Sequence, residues 1–152
     1  MKKDIVELVV GLFALVVAGA SEELAPKLSG AGVPALLSAV AVMSVRRSPL
    51  SGALFAVAAG AFEDALCSLP FATSISYFLA IAALMRGFKL PVMCAAPAFV
   101  GYQVWLWIWL GGSLNGNIFS RLFMALPLGA ATLLAAEAVI SWADGKGALD
   151  EK

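Results

Sequence analysis

The chain has 152 residues, of which 62% are hydrophobic and 13% charged, and its mean hydropathy is +0.95. Soluble domains carry roughly 25% charge, so this composition excludes a disordered chain, a coiled coil and a nucleic-acid-binding module, and it places the protein in a bilayer. Ten basic residues balance ten acidic ones and there is no histidine, which removes any net pull on polyanions and the commonest general base and metal ligand.

Crossing ~30 Å of hydrocarbon takes ~20 apolar residues, fewer where the bilayer thins. Apolar runs of that kind fall at about 5–20, 28–45, 50–69, 71–85, 90–112 and 118–142. The pattern is all-α: a polytopic bundle of six transmembrane helices forming a single integral membrane domain over 1–152, with no soluble domain. Residues 143–152 are polar and glycine-containing and are expected to be a disordered tail.

The first run carries Glu7 within two turns of its start, close enough to snorkel to the interface. Lys2-Lys3 before an apolar stretch and Ala18-Gly19-Ala20 before Ser21 also fit a secretory signal with an A-x-A cleavage site. Asp4 and Glu7 argue against cleavage, because signal h-regions rarely carry acid. After it, Glu22-Glu23-x-x-x-Lys27 is similar to the EExxxR of glutamate intramembrane proteases. Those sites also need histidines.

Breakers mark the next cuts: Arg46-Arg47-Ser48-Pro49, Leu69-Pro70, Arg86-Gly87-Phe88-Lys89 and Asn115-Gly116. In the third run Gly52, Ala56, Gly60 and Asp64 stand four apart and therefore line one helix face. Small residues at that spacing admit another backbone closely, either within the bundle or from a partner helix. Glu63 lies about 100° round the helix from Asp64 and is expected to tolerate replacement better.

Pro97 and Pro127 fall inside the fifth and sixth runs and are expected to kink them. Trp105, Trp107 and Trp109 fit an aromatic belt. Cys67 and Cys94 form no CxxC and are expected to be small buried packing residues, too far apart to bridge. Glu137 sits close to Trp142 and fits an interfacial position.

With the amino terminus inside, one side holds Lys2, Lys3, Arg46, Arg47, Arg86, Lys89, Lys146 and Lys152, and the other only Lys27 and Arg121. That asymmetry places both termini in the cytoplasm. Charges within a membrane are costly, so each is a candidate functional residue. Glu63, Asp64, Gln103 and Arg121 fall at comparable depth in the outer half, where they form either a self-satisfied ion pair or a ligand or partner contact. No P-loop, G-x-S-x-G or metal constellation is present, so no catalytic, cofactor or metal site is expected. No span carries a row of polar residues suited to a channel.

The stretch Arg46-Arg47-Ser48-Pro49-Leu50-Ser51-Gly52, then Ala59-Gly60-Ala61-Phe62-Glu63-Asp64-Ala65-Leu66, then Thr73 to Arg86, resembles the rod-shape-determining protein MreD family over about 40 residues. Gly60 and Asp64 match that family's G-x-x-x-D. Glu63 departs from it, standing where an apolar residue is expected. The resemblance implies a non-enzymatic multi-pass protein of the bacterial cytoplasmic membrane, in contact with lipid and with an MreC-like membrane protein. Through that protein it would reach MreB and the peptidoglycan synthases of the cell-elongation machinery. The alternative is the substrate-binding S component of an energy-coupling-factor vitamin transporter, also a small six-helix bundle. Ala14 and Ala18 give the AxxxA through which such subunits dock.

Overall fold

The computed structural model of the chain describes residues 2–29, 34–89, 91–109 and 118–149, with side chains over 8–24, 34–89, 91–109 and 126–145. Among these the fold is all-helical. It comprises α1 (Lys2–Ser29), α2 (Ala35–Arg46), α3 (Pro49–Leu66), α4 (Thr73–Gly87), a 3-10 turn (Val92–Ala95), α5 (Ala96–Trp109) and α6 (Ile118–Leu149). Three stretches, Pro49–Leu66, Val92–Trp109 and Leu126–Gly145, are long and apolar enough to cross a membrane; α2 and α4 are apolar but shorter.

The centre is α2. Every residue from Leu36 to Ser44 is buried, so this helix has no free face, as expected of one that is apolar all round. Contacts reach it from α1, α3, α4 and α6. Outside this core the surface is apolar: Leu8, Leu12 and Val16 of α1, Leu50 and Leu54 of α3, Ile108 of α5 and Leu134 of α6 are all exposed. Contiguous exposed apolar surface of this kind belongs against lipid or another protein.

Successive helices alternate in direction, so the bundle has two ends. At one, Arg86 Nη1 donates to the carbonyls of Ser44 at 3.3 Å and Arg47 at 2.7 Å, satisfying acceptors left open where α2 stops. Arg46 pairs with Glu137 at 3.3 Å and with Asp144 at 3.9 Å, and Arg47 pairs with Asp144. These pairs explain a correction. The expected disordered tail is helical as far as Leu149, because Asp144 is tied back to α2; residues 150–152 lie outside the described ones.

Other expectations also shift. The first helix does not stop near Ala20. It runs on to Ser29 through Ser21, whose hydroxyl donates to the Val17 carbonyl at 2.7 Å and so is absorbed into the helix. Pro97 is not an interior kink but the second residue of α5, where a missing N–H costs nothing. Pro127 does lie inside α6. Cys67 and Cys94 are free thiols with exposed side chains, not buried packing residues. Trp105 is half-buried against Tyr77, with ring centroids 6.1 Å apart, and donates to the Thr73 carbonyl at 3.0 Å, so it packs rather than only lining a belt. The Asn115-Gly116 turn and the Glu7 and Lys27 side chains lie outside the described ones.

At the start of α3 the Ser48 hydroxyl accepts from the Ser51 amide at 3.2 Å, with Pro49 in the first helical position. The turn from α3 to α4 is tight, and it places Ser68 (φ 51°) and Ala72 (φ 68°) in the left-handed region. A side chain there costs roughly 1–2 kcal/mol. Ala72→Gly should therefore raise stability by about 0.5–1 kcal/mol net of glycine's greater freedom when unfolded. A melting curve in detergent that drops instead would show the Ala72 methyl to be a packing contact.

Candidate functional site

The end opposite the arginines is acidic. Asp64, in the last turn of α3 and 6% exposed, directs Oδ1 to the Ser74 amide at 2.7 Å. Ser74 is the second residue of α4, so Asp64 satisfies one of the open donors of that helix and sets a negative charge at its positive end. It does this across a close approach: a Cβ on Gly60 would lie 2.5 Å from Ile75 Cα and 2.6 Å from Ile75 N. Gly52 similarly faces α2, where a Cβ would stand 3.3 Å from Ser44 Cα. The face formed by Gly52, Ala56, Gly60 and Asp64 is thus buried against the chain's own α2 and α4, and it is not free to receive another protein.

Among the described residues the partner of Asp64 Oδ1 is the Ser74 amide, because the short turn brings the first turn of α4 over the end of α3. The Arg121 side chain lies outside the described ones. Glu63, at 8% exposed, is nearly as buried as Asp64, since a rotation of one residue turns it away from α4 but towards α1 and α5 rather than outward. Its Oε1 faces the Tyr102 hydroxyl at 3.4 Å and the Cys67 thiol at 3.7 Å, while Oε2 is buried with no hydrogen-bond partner. Tyr102 shares a 2.6 Å hydrogen bond with the Ser74 hydroxyl, linking the Glu63 and Asp64 environments.

Glu22 joins this group from α1. Its Oε1 accepts the Leu36 amide at 2.8 Å, serving the open first turn of α2 as Asp64 serves that of α4. Glu22 lies beyond the apolar run of α1 and within hydrogen-bonding reach of Glu63.

Between α1, α2, α3 and α5 these groups enclose a cavity of about 530 Å³. Glu22, Glu63, Cys67, Tyr102 and Gln103 give it polar atoms, and Leu106 stands among its apolar walls. The structure thus brings together Glu63 and Gln103 of the expected cluster and sets Asp64 just behind them. Glu22 and Tyr102 were missed. The polar pair Glu22-Glu23 suggested a chain leaving the membrane, whereas a helix continued at 3.6 residues per turn would have carried Glu22 alongside the third span. The adjacent Tyr102-Gln103 in an otherwise apolar run was the available signal for α5.

Among the described residues that line it, none is basic, and the Lys27 and Arg121 side chains lie outside the described ones. Among the described residues no group of three or more Cys, Asp and Glu side chains is arranged to hold a metal ion. No family model, curated protein or solved structure matches the chain.

Proposed function

We propose that the protein is a non-enzymatic, MreD-like scaffold of the bacterial cell-elongation machinery. It crosses the cytoplasmic membrane six times with both termini in the cytoplasm. It binds an MreC-like membrane protein and through it MreB and the peptidoglycan synthases. The observation that carries this reading is the α3–α4 hairpin. The residues resembling MreD, Gly60 and Asp64 among them, are spent on backbone contact and helix capping rather than on chemistry. A rigid hairpin with exposed apolar helices around it suits a protein that works by being bound. The alternating helix directions support an even number of crossings, and Arg46, Arg47 and Arg86 at one end suit the cytoplasmic face.

The importer reading has the acidic cavity in its favour. Against it, Ala14 and Ala18, through which an S component would dock its coupling subunit, are each 7% exposed and belong to the chain's own core. Affinity purification of the tagged chain from native membranes separates the two. A coiled-coil MreC-like protein should copurify, and depletion of the chain should round a rod-shaped cell. Recovery of an ATPase with a coupling subunit instead, with normal cell shape, would transfer the assignment to the importer. A reporter fused after Lys152 should be active only if it works in the cytoplasm.

A further inference from the structure

We infer that the turn joining α3 to α4, residues 67–72, lies among the acyl chains of the leaflet opposite the arginine-rich end, so that the surface it presents is a lipid-binding one. Its sidedness rests on the six-crossing reading above. The closing measurement reports depth alone, so the two fail separately.

The side chains give the first reason. From Ala65 to Met85 there is no charged residue, Asn or Gln, whereas the connections at the other end carry Arg46, Arg47, Arg86 and Lys89. Leu66, Pro70 and Phe71 are exposed, and Phe71, at 88%, is the most exposed large hydrophobic residue described. Ser68 bears the only hydroxyl between Leu66 and Phe71. The two acids at this level, Glu63 and Asp64, are turned inward and buried. An apolar tip of this kind belongs against lipid or protein.

The backbone gives an independent reason. A turn in water leaves amides and carbonyls to the solvent, whereas in hydrocarbon each must be met within the chain. The Cys67 amide donates to the Glu63 carbonyl and the Leu69 amide to the Asp64 carbonyl, both at 2.9 Å. Pro70 has no N–H, and its carbonyl accepts the Thr73 amide at 3.2 Å and the Thr73 hydroxyl at 2.8 Å. The Ser74 amide donates to Asp64. The Thr73 carbonyl accepts the Trp105 indole N–H and the Ser76 hydroxyl, both at 3.0 Å. Ser68 and Ala72 adopt left-handed backbone to close so short a connection.

Length sets the depth. The 18 residues of α3 span about 27 Å and the 15 of α4 about 22 Å, against ~30 Å of hydrocarbon. With the arginines at one interface, the chain turns back before it reaches the other, and the bilayer either thins there or covers the turn. Protein interfaces carry a polar rim and a hydrogen bond roughly every 100–200 Å². The donors and acceptors of this turn are engaged internally, which favours acyl chains over a protein cover.

The test places a nitroxide on single cysteines, with Cys67 and Cys94 replaced by alanine, in the full chain in phosphatidylcholine nanodiscs. Collisions are measured with oxygen, which concentrates in hydrocarbon, and with a nickel chelate, which stays in water. Phe71→Cys is the reporter. Leu54→Cys, on the exposed face of α3, marks the acyl region, and Lys89→Cys marks the arginine end. The oxygen-to-nickel ratio at 71 should match that at 54 and exceed that at 89 several-fold. Leu66→Cys should agree, which decides the matter if Phe71→Cys does not fold. A ratio at 71 as low as that at 89 would put the turn in water and overturn the inference. So would a label at 71 that loses collisions with both probes in native membranes, because a protein would then cover the tip.

Discussion

Replacing Gly60 by alanine should destabilise the bundle more than any other single methyl added to a described glycine that faces backbone. The added carbon would fall 2.5 Å from Ile75 Cα, 2.6 Å from Ile75 N and 3.0 Å from Ser74 C. All three are backbone atoms, so no rotamer change relieves the contact and α4 must move as a body. Overpacking of a close-packed interior costs about 1–3 kcal/mol. For a chain of this size that is on the order of 5 °C in melting temperature. Two controls bracket it. Gly52→Ala meets Ser44 Cα at 3.3 Å and should cost less, and Gly87→Ala meets nothing within 4 Å and should be neutral or stabilising. If Gly60→Ala melts like Gly87→Ala, α3 and α4 do not approach as described.

The second large effect is expected at Asp64. Asp64→Ala leaves the Ser74 amide buried without its 2.7 Å acceptor and removes the negative charge from the start of α4. A charged hydrogen bond of this kind is worth about 1.5–3 kcal/mol, and an orphaned buried donor adds to the loss. Asp64→Asn keeps an acceptor in place and should recover a large part of it. Ser74→Ala is the informative companion, because it removes the hydroxyl contact to Tyr102 but leaves the amide that Asp64 holds. Asp64→Ala should therefore be the more damaging of the two. Because Gly60 and Asp64 both act on the seating of α4, the double variant Gly60→Ala, Asp64→Ala should cost less than the sum of its parts. Strict additivity in the measured melting free energies would mean that the cap and the close approach are independent.

How far the fold could be read from sequence follows from the range of the interactions. The face of Gly52, Ala56, Gly60 and Asp64 is set by helix geometry over a few turns, and small residues at that spacing announce a close neighbour wherever it comes from. Pro49 and the Leu69-Pro70 turn mark ends by local backbone rules. What stood on the other side of each face was not local. The Glu63 direction was legible as an angle from Asp64, but the presence of Glu22 and Tyr102 in that direction depends on where α1 and α5 lie. Polar residues at 21–23 fit an exit from the membrane on hydropathy alone; the Leu36 amide, an acceptor-seeking donor fourteen residues away, is what keeps Glu22 inside. Likewise Asp144 holds the last turns of α6 through Arg46 and Arg47, about a hundred positions earlier. Burial of the cysteines was inferred from residue type, and both sit instead at the margins of the packed region, Cys67 just after α3 and Cys94 in the 3-10 turn.

The central helix bears on how such a chain reaches its membrane during synthesis. At about 18 Å, α2 is far shorter than the ~30 Å of a hydrocarbon core, and its residues from Leu36 to Ser44 have no surface left for lipid once the bundle has formed. A segment of that length gains little by entering a bilayer alone, and its Ser38 and Ser44 hydroxyls gain nothing there. Its burial is completed only when α3 and α4, which pack along it, have been made. Chains released between residues 46 and 66 should consequently be degraded faster than chains released after α4, in which α2 is packed against both α3 and α4.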